Sequence, residues 1–189
     1  MSQARTFTPK ELRHVLDHVA TRPHATRNRL MLLLTHWAGM RVGEVAALLI
    51  SDVLDDAGKV RPEIRLDRSR TKRNHARSVF VNQKLRNEIA TYCKTISIQD
   101  PHQHLFATQK RDAFSANTLC HTLRAIYLDA GFAGASSHSG RRTFITTLAS
   151  KGVGVRVLAS LAGHKSIATT QLYIDVNDDM KRKAVELAG

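Results

Sequence analysis

Helix punctuation recurs along almost the whole chain and confines it to a mainly helical fold. Thr8-Pro9-Lys10-Glu11 is a capping box with proline at the first helical position, and Leu12, Val15, Leu16 and Val19 continue one apolar face to about residue 20. A second helix is expected over residues 26–38, with Gly39 as its left-handed cap, and a third, short one over 42–49. Asp55-Asp56-Ala57-Gly58 is turn chemistry, and the period then changes: two short strands are expected over 63–68 and 76–81, joined by the basic stretch 69–75. Helical spacing returns over 82–96, from Ser115 to Gly131, over 139–151 closed by Gly152, over 155–162 closed by Gly163, and over 166–174. Asn177 is placed to cap a last helix carrying Met180, Ala184, Val185 and Leu187, whereas residues 97–112, around Pro101, read as irregular. The expected class is α+β, mostly α: a helical bundle with one small antiparallel sheet. Residues 1–7 read as a loose end or linker stub, 8–176 as one domain, and 177–189 as a helical tail.

Charge narrows the partner. Lys and Arg number 29 against 16 Asp and Glu, a net charge of +13, while the 42% apolar content is that of an ordinary folded protein. A normal core under so much positive charge points to a polyanion, with nucleic acid ahead of an anionic membrane or a ribosome-like assembly. Cys93 and Cys120 are far apart and read as isolated thiols in a reducing compartment. The longest apolar patch, residues 30–34, is too short to span a membrane, and the polar N-terminus lacks a signal segment, so the cytoplasm is the expected location.

The residues with chemical potential are spread along the chain. His138 opens a helix and Arg141 follows one turn in, so both can face one point; a helix start with arginine and imidazole is a natural phosphate seat. Gly163-His164 sets a second imidazole in a tight loop, and Tyr173 follows. Upstream stand Arg41 and Glu44, in Gly39-Met40-Arg41-Val42-Gly43-Glu44, and Thr71-Lys72 within the basic hairpin. Each has a plainer reading. Arg41 and Glu44 alone would be a helix-surface ion pair, Lys72 a solvated cation among Arg68, Arg70, Arg73 and Arg77, and His138 a helix cap. Likewise Arg141 could pair with an acid, Gly163-His164 could be only a turn, and Tyr173 a core or rim residue. His14 and His18 flank Asp17 at a spacing that can bind metal, but no third ligand converges with them, and His102 and His104 have the same surface reading; no metal or cofactor is expected.

Taken in order, these motifs resemble the tyrosine recombinase (phage integrase) family. That family carries arginine in a G-x-R-x-x-E context, a hairpin lysine, H-x-x-R, G-H and a nucleophilic tyrosine, and Arg41, Glu44, Lys72, His138, Arg141, His164 and Tyr173 match them in sequence. The run Leu161-Ala162-Gly163-His164-Lys165-Ser166-Ile167 through Tyr173 is similar to the family signature around its tyrosine. The resemblance implies that residues 8–176 form the catalytic domain of a site-specific DNA recombinase. Tyr173 would attack phosphorus to give a 3′-phosphotyrosyl bond, with His138 accepting its proton, since phenols ordinarily titrate near pH ~10. Arg41 and Arg141 would hold the non-bridging oxygens through forked donors, His164 would add a hydrogen bond, and Lys72 would protonate the departing 5′-oxygen. Glu44 would hold Arg41. Arg68, Arg70, Arg73, Arg77, Arg142 and Lys165 are candidate DNA contacts.

Two local departures stand out: Gly140 where the family usually has leucine, expected to loosen the helix start, and Arg142 where it often has histidine, adding charge near the phosphate. The chain starts almost at the first helix of the catalytic domain, which fits a catalytic portion or a naturally short recombinase. Double-stranded DNA is the expected partner, together with copies of the same chain: a monomer in free solution, a tetramer on paired sites with residues 177–189 exchanged between subunits. Rival readings are type IB topoisomerase-like relaxation, by the same tyrosine chemistry, and a DNA-binding module without catalysis.

Overall fold

A computed structural model describes residues 4–67, 76–108, 111–174, 181–182 and 185–186. Helix α1 (Pro9–Ala20) opens with the expected capping box: Glu11 N–H donates to Thr8 Oγ1 at 3.2 Å and Thr8 N–H to Glu11 Oε2 at 2.8 Å. Helix α2 (Ala25–Trp37) is the centre of the molecule. Residues Leu30, Met31, Leu32, Leu33, Leu34, Thr35 and His36 are all buried, which only a helix covered on every side can be. It is covered by α1, by α5 (Gln83–Cys93) and by α7 (Ser139–Ser150). Within this core His36 Nε2 lies 2.9 Å from the Tyr127 hydroxyl, and burial pulls its pKa down to about 3, so the ring is neutral.

The expected third helix ends early, as α3 (Val42–Ala46), and a further short helix, α4 (Ile50–Val53), follows beyond its expected end. The cause lies far along the chain. Leu49 pairs with His104 in an isolated bridge, Leu105 N–H donates to Leu48 O at 2.8 Å, and Ile50 N–H to Gln103 O at 3.0 Å. Backbone groups that would have continued the helix are taken by the irregular segment, which also buries Leu105 and Phe106. Strands β1 (Glu63–Leu66) and β2 (Arg77–Phe80) pair antiparallel, Leu66 opposite Arg77 and Ile64 opposite Val79, and are shorter than expected. Period-two alternation turns Ile64, Leu66, Arg77 and Val79 inward and Arg65 and Phe80 outward.

Helix α6 (Ala116–Asp129), capped by Ser115, packs on α3; α8 (Val155–Ala162) and α9 (Ile167–Gln171) follow α7. Gly163 caps α8 at φ 59°. Helix α9 ends earlier than expected, and Tyr173 lies in the turn beyond it, its N–H donating to Thr170 O at 3.0 Å. The mainly helical fold with one antiparallel pair is as the sequence predicts. Among the described residues no helix is long and apolar enough to cross a membrane.

Gly140 corrects one expectation. Rather than loosening α7, it lets that helix approach α2: a Cβ there would stand 2.1 Å from Thr35 Oγ1 and 2.9 Å from His36 Cδ2.

Candidate active site

Five separate stretches converge on one cleft of about 760 Å³: the start of α3, the start of β2, the start of α6, the first turn of α7, and the segment from Gly163 to Tyr173. Arg41, Glu44, Arg77, His138, Arg141, Arg142, His164, Lys165 and Tyr173 all line it. Arg41 is the N-cap residue of α3, and the Glu44 carboxylate, one turn on, accepts both its backbone N–H and its Nη1 at 2.8 Å. The second Arg41 Nη group donates to Gly163 O at 3.0 Å.

On α7, the N-cap side chain of His138 makes no capping bond and is exposed, whereas Arg141 is buried. Arg141 Nη1 donates to Gly39 O at 2.6 Å and Nη2 to Ala162 O. Gly39 can present that carbonyl because it is left-handed at φ 61° and because Phe144 would collide with any Cβ there. Burial, then the charges of Arg41 and Arg77, push the Arg141 pKa down to about 9, with Glu44 and Tyr173 opposing. Arg141 therefore remains a cation at neutral pH, but one that an anion in the cleft would stabilise.

His164 is fixed by Thr170, whose buried hydroxyl lies 2.8 Å from Nδ1. The Tyr173 ring stacks on the imidazole, centroids 5.8 Å apart at 22°. Arg142, expected near the phosphate, lines the cleft and also donates to Ala4 O at 2.8 Å. Lys165 lies exposed at the edge. Lys72, Arg68, Arg70 and Arg73 lie outside the described residues.

Arg77 is not on an outer face. Its side chain is 9% exposed, and it donates Nη2 to Glu44 Oε2 at 2.6 Å, Nε to Glu44 Oε1 at 3.1 Å and Nη1 to Leu161 O at 2.7 Å. Burial alone would raise the Glu44 carboxyl; the hydrogen bonds and charges of Arg77 and Arg41 outweigh it and hold the group below the ordinary carboxylate range. Sequence reading missed this role, and the alternation of Arg77 with Val79 and Val81 was the signal for it. It also missed Thr170, which the neighbouring Thr169 made easy to pass over. Among the described residues no three His, Cys, Asp or Glu side chains gather as a metal site requires.

An assembly of clustered arginines, two imidazoles and a phenol is suited to a phosphodiester: it offers forked donors for non-bridging oxygens and a nucleophile beside them. A model of the phage integrase family matches residues 5–180. The chain is 30% identical over 190 residues to tyrosine recombinase XerA of Thermococcus kodakarensis, covering 99% of this chain and 64% of that protein. It is 28% identical to tyrosine recombinase XerC of Bacillus subtilis, covering 92% and 56% respectively. The chain thus spans less than two thirds of the length of these relatives. Its fold is similar to the crystal structure of XerA recombinase, with TM-score 0.77 and 23% identity over 100% of this chain and 66% of the other. It is also similar to the Tn1549 transposon integrase in complex with transposon right end DNA, with TM-score 0.76 and 18% identity over 100% and 68%. With the family match running from the residues before α1 to beyond Tyr173, the chain belongs to the phage integrase family.

Proposed function

We propose that this chain is the catalytic part of a site-specific recombinase that cuts and rejoins DNA through a 3′-phosphotyrosyl bond at Tyr173. The observation that carries the reading is the convergence of Arg41, His138, Arg141, His164 and Tyr173 on one cleft. The Tyr173 oxygen forms a bond to phosphorus, the bond from phosphorus to the 5′-oxygen breaks, and His138 takes the phenolic proton. Arg41, Arg141 and His164 bear on the non-bridging oxygens as charge develops. Lys72 supplies the proton that the departing 5′-oxygen needs. Because the ester conserves the energy of the broken bond, reversal by a 5′-hydroxyl reseals DNA without ATP, metal or other cofactor. The proposed setting is the cytoplasm, with a partner surface that includes Arg142 and Lys165.

The test uses a pool of nicked duplexes with randomised sequence, in which the released fragment diffuses away and traps the covalent state. The wild-type chain is expected to form detergent-stable protein–DNA adducts in excess chelator. Tyr173→Phe keeps the ring and loses the nucleophilic oxygen, so it should bind the same DNA and trap none. Adduct from Tyr173→Phe rules out this nucleophile, and binding without adduct by the wild type leaves a DNA-binding module. Relaxation of supercoiled DNA with no exchange between two sites selects the topoisomerase reading.

A further inference from the structure

Helix α8 ends on three carbonyls that have no partners within the helix and carry its partial negative charge. Each is taken by a different arginine from a different element. Leu161 O accepts from Arg77 on β2, Ala162 O from Arg141 on α7, and Gly163 O from Arg41 at the start of α3. The end of α8 therefore acts as a gauge for the spacing of the three guanidinium groups, and His164 follows immediately.

Two of these arginines have a proposed task at the phosphate; Arg77 has none. A guanidinium this buried is costly unless paired, and it is paired with the same carboxylate that holds Arg41. Gly163 is part of the same construction: its φ is 59°, and a Cβ there would stand 2.6 Å from Arg77 Cδ. Arg77 thus bridges three parts of the site, namely the hairpin strand, the Glu44–Arg41 pair and the end of α8.

We propose that Arg77 is a positioning residue for strand cleavage, setting Arg41 against Arg141 through Glu44 and the α8 carbonyls; this rests on the recombinase reading above. Removing it takes away no phosphate ligand but frees Arg41 to move, and a displacement of about 1 Å in such a site costs on the order of 100-fold in rate. Lysine keeps the charge but cannot make the forked contact with Glu44 while also reaching Leu161 O.

The experiment measures single-turnover adduct formation by the full chain on the nicked duplex most enriched in wild-type adducts, across DNA concentrations. For Arg77→Lys the rate at saturating DNA should fall roughly 10- to 100-fold, while the half-saturating concentration stays within about threefold, a shift under 1 kcal/mol. Arg65→Gln is the control, because Arg65 sits on the outer face of the same hairpin with its side chain 85% exposed, and its saturated rate should equal that of the wild type. Glu44→Gln cuts the link from its other end with no change of shape. It should slow the saturated rate similarly, and the double variant should be no slower than the worse single one, as expected for residues acting through each other. If melting shows Arg77→Lys unfolded at the assay temperature, Glu44→Gln decides alone. A folded variant with the wild-type saturated rate, or one whose loss lies wholly in DNA affinity, overturns the proposal. Absence of adduct from the wild type removes the recombinase reading, and this inference with it.

Discussion

Glu44 shows how one residue can serve the site without touching the reacting atoms. It is 2% exposed and accepts from two arginines and a backbone N–H, and among the described residues lining the cleft it is the acid. Without it, Arg41 and Arg77 would repel each other in a poorly solvated space, and Arg141 would lose a counter-charge. Gly140 works differently, by having no side chain. In an open helix, Gly→Ala gains roughly 0.5–1 kcal/mol. Here the added methyl would meet Thr35 Oγ1 and, at 2.8 Å, Thr35 Cβ, a branched side chain held by its hydrogen bond to Leu32 O. Overpacking of this kind costs about 1–3 kcal/mol. Gly140→Ala should therefore lower the melting temperature by roughly 2–12 °C, given about 2–4 °C per kcal/mol for a chain of this size. A melting temperature unchanged or raised in a calorimetric scan would show that α2 and α7 are free to part at this point.

At the scale of elements, the hairpin of β1 and β2 faces two ways. Its inner face carries Arg77 to Glu44, and its outer face leaves Phe80 and Arg65 exposed. Lys72 belongs to the connection between these strands, and the general-acid role proposed for it is chemical and separable. Lys72→Ala should slow cleavage of ordinary DNA by roughly 100- to 10,000-fold, the usual range for losing a positioned acid. Sulfur in place of the bridging 5′-oxygen leaves without a proton, so with that substrate Lys72→Ala should recover most of its rate. Arg141→Ala should not recover, because the role proposed for its charge is on the non-bridging oxygens. Equal recovery of both variants, or of neither, removes the acid role from Lys72.

The whole molecule carries +13, and its cleft concentrates part of that excess. Such charge opposes self-association until a polyanion neutralises it, so the free chain is expected to be a monomer and to assemble on paired DNA sites. The proposed contact is the tail. Val185 is helical yet 71% exposed, so it is not covered by its own chain, and Leu172 and Val157 are exposed as well. Burying one such side chain is worth about 1.5–3 kcal/mol, or roughly tenfold or more in affinity. Deleting the residues after Val176 should weaken cooperative binding to paired sites by at least that factor and change single-site affinity little. A gel-shift titration on single-site and paired-site DNA measures both. Unchanged cooperativity would mean that the tail serves only its own domain.

The sequence by itself determined what is local. The capping box at Thr8, the caps at Ser115 and Gly163, and the all-round apolar run of α2 depend on neighbours within a turn or two, so they could be placed from residue order alone. The motif order, through its resemblance to a known family, also grouped Arg41, His138, Arg141, His164 and Tyr173, although each alone has a plainer reading. Tertiary structure decided the rest, through partners distant in sequence. The break between α3 and α4 follows from backbone pairing with residues 103–105, the need for glycine at 140 from Thr35, and the inward turn of Arg77 from a carboxylate 33 residues away. A buried charge or a helix end is settled by whichever group can satisfy it, and only the folded chain brings that group within reach.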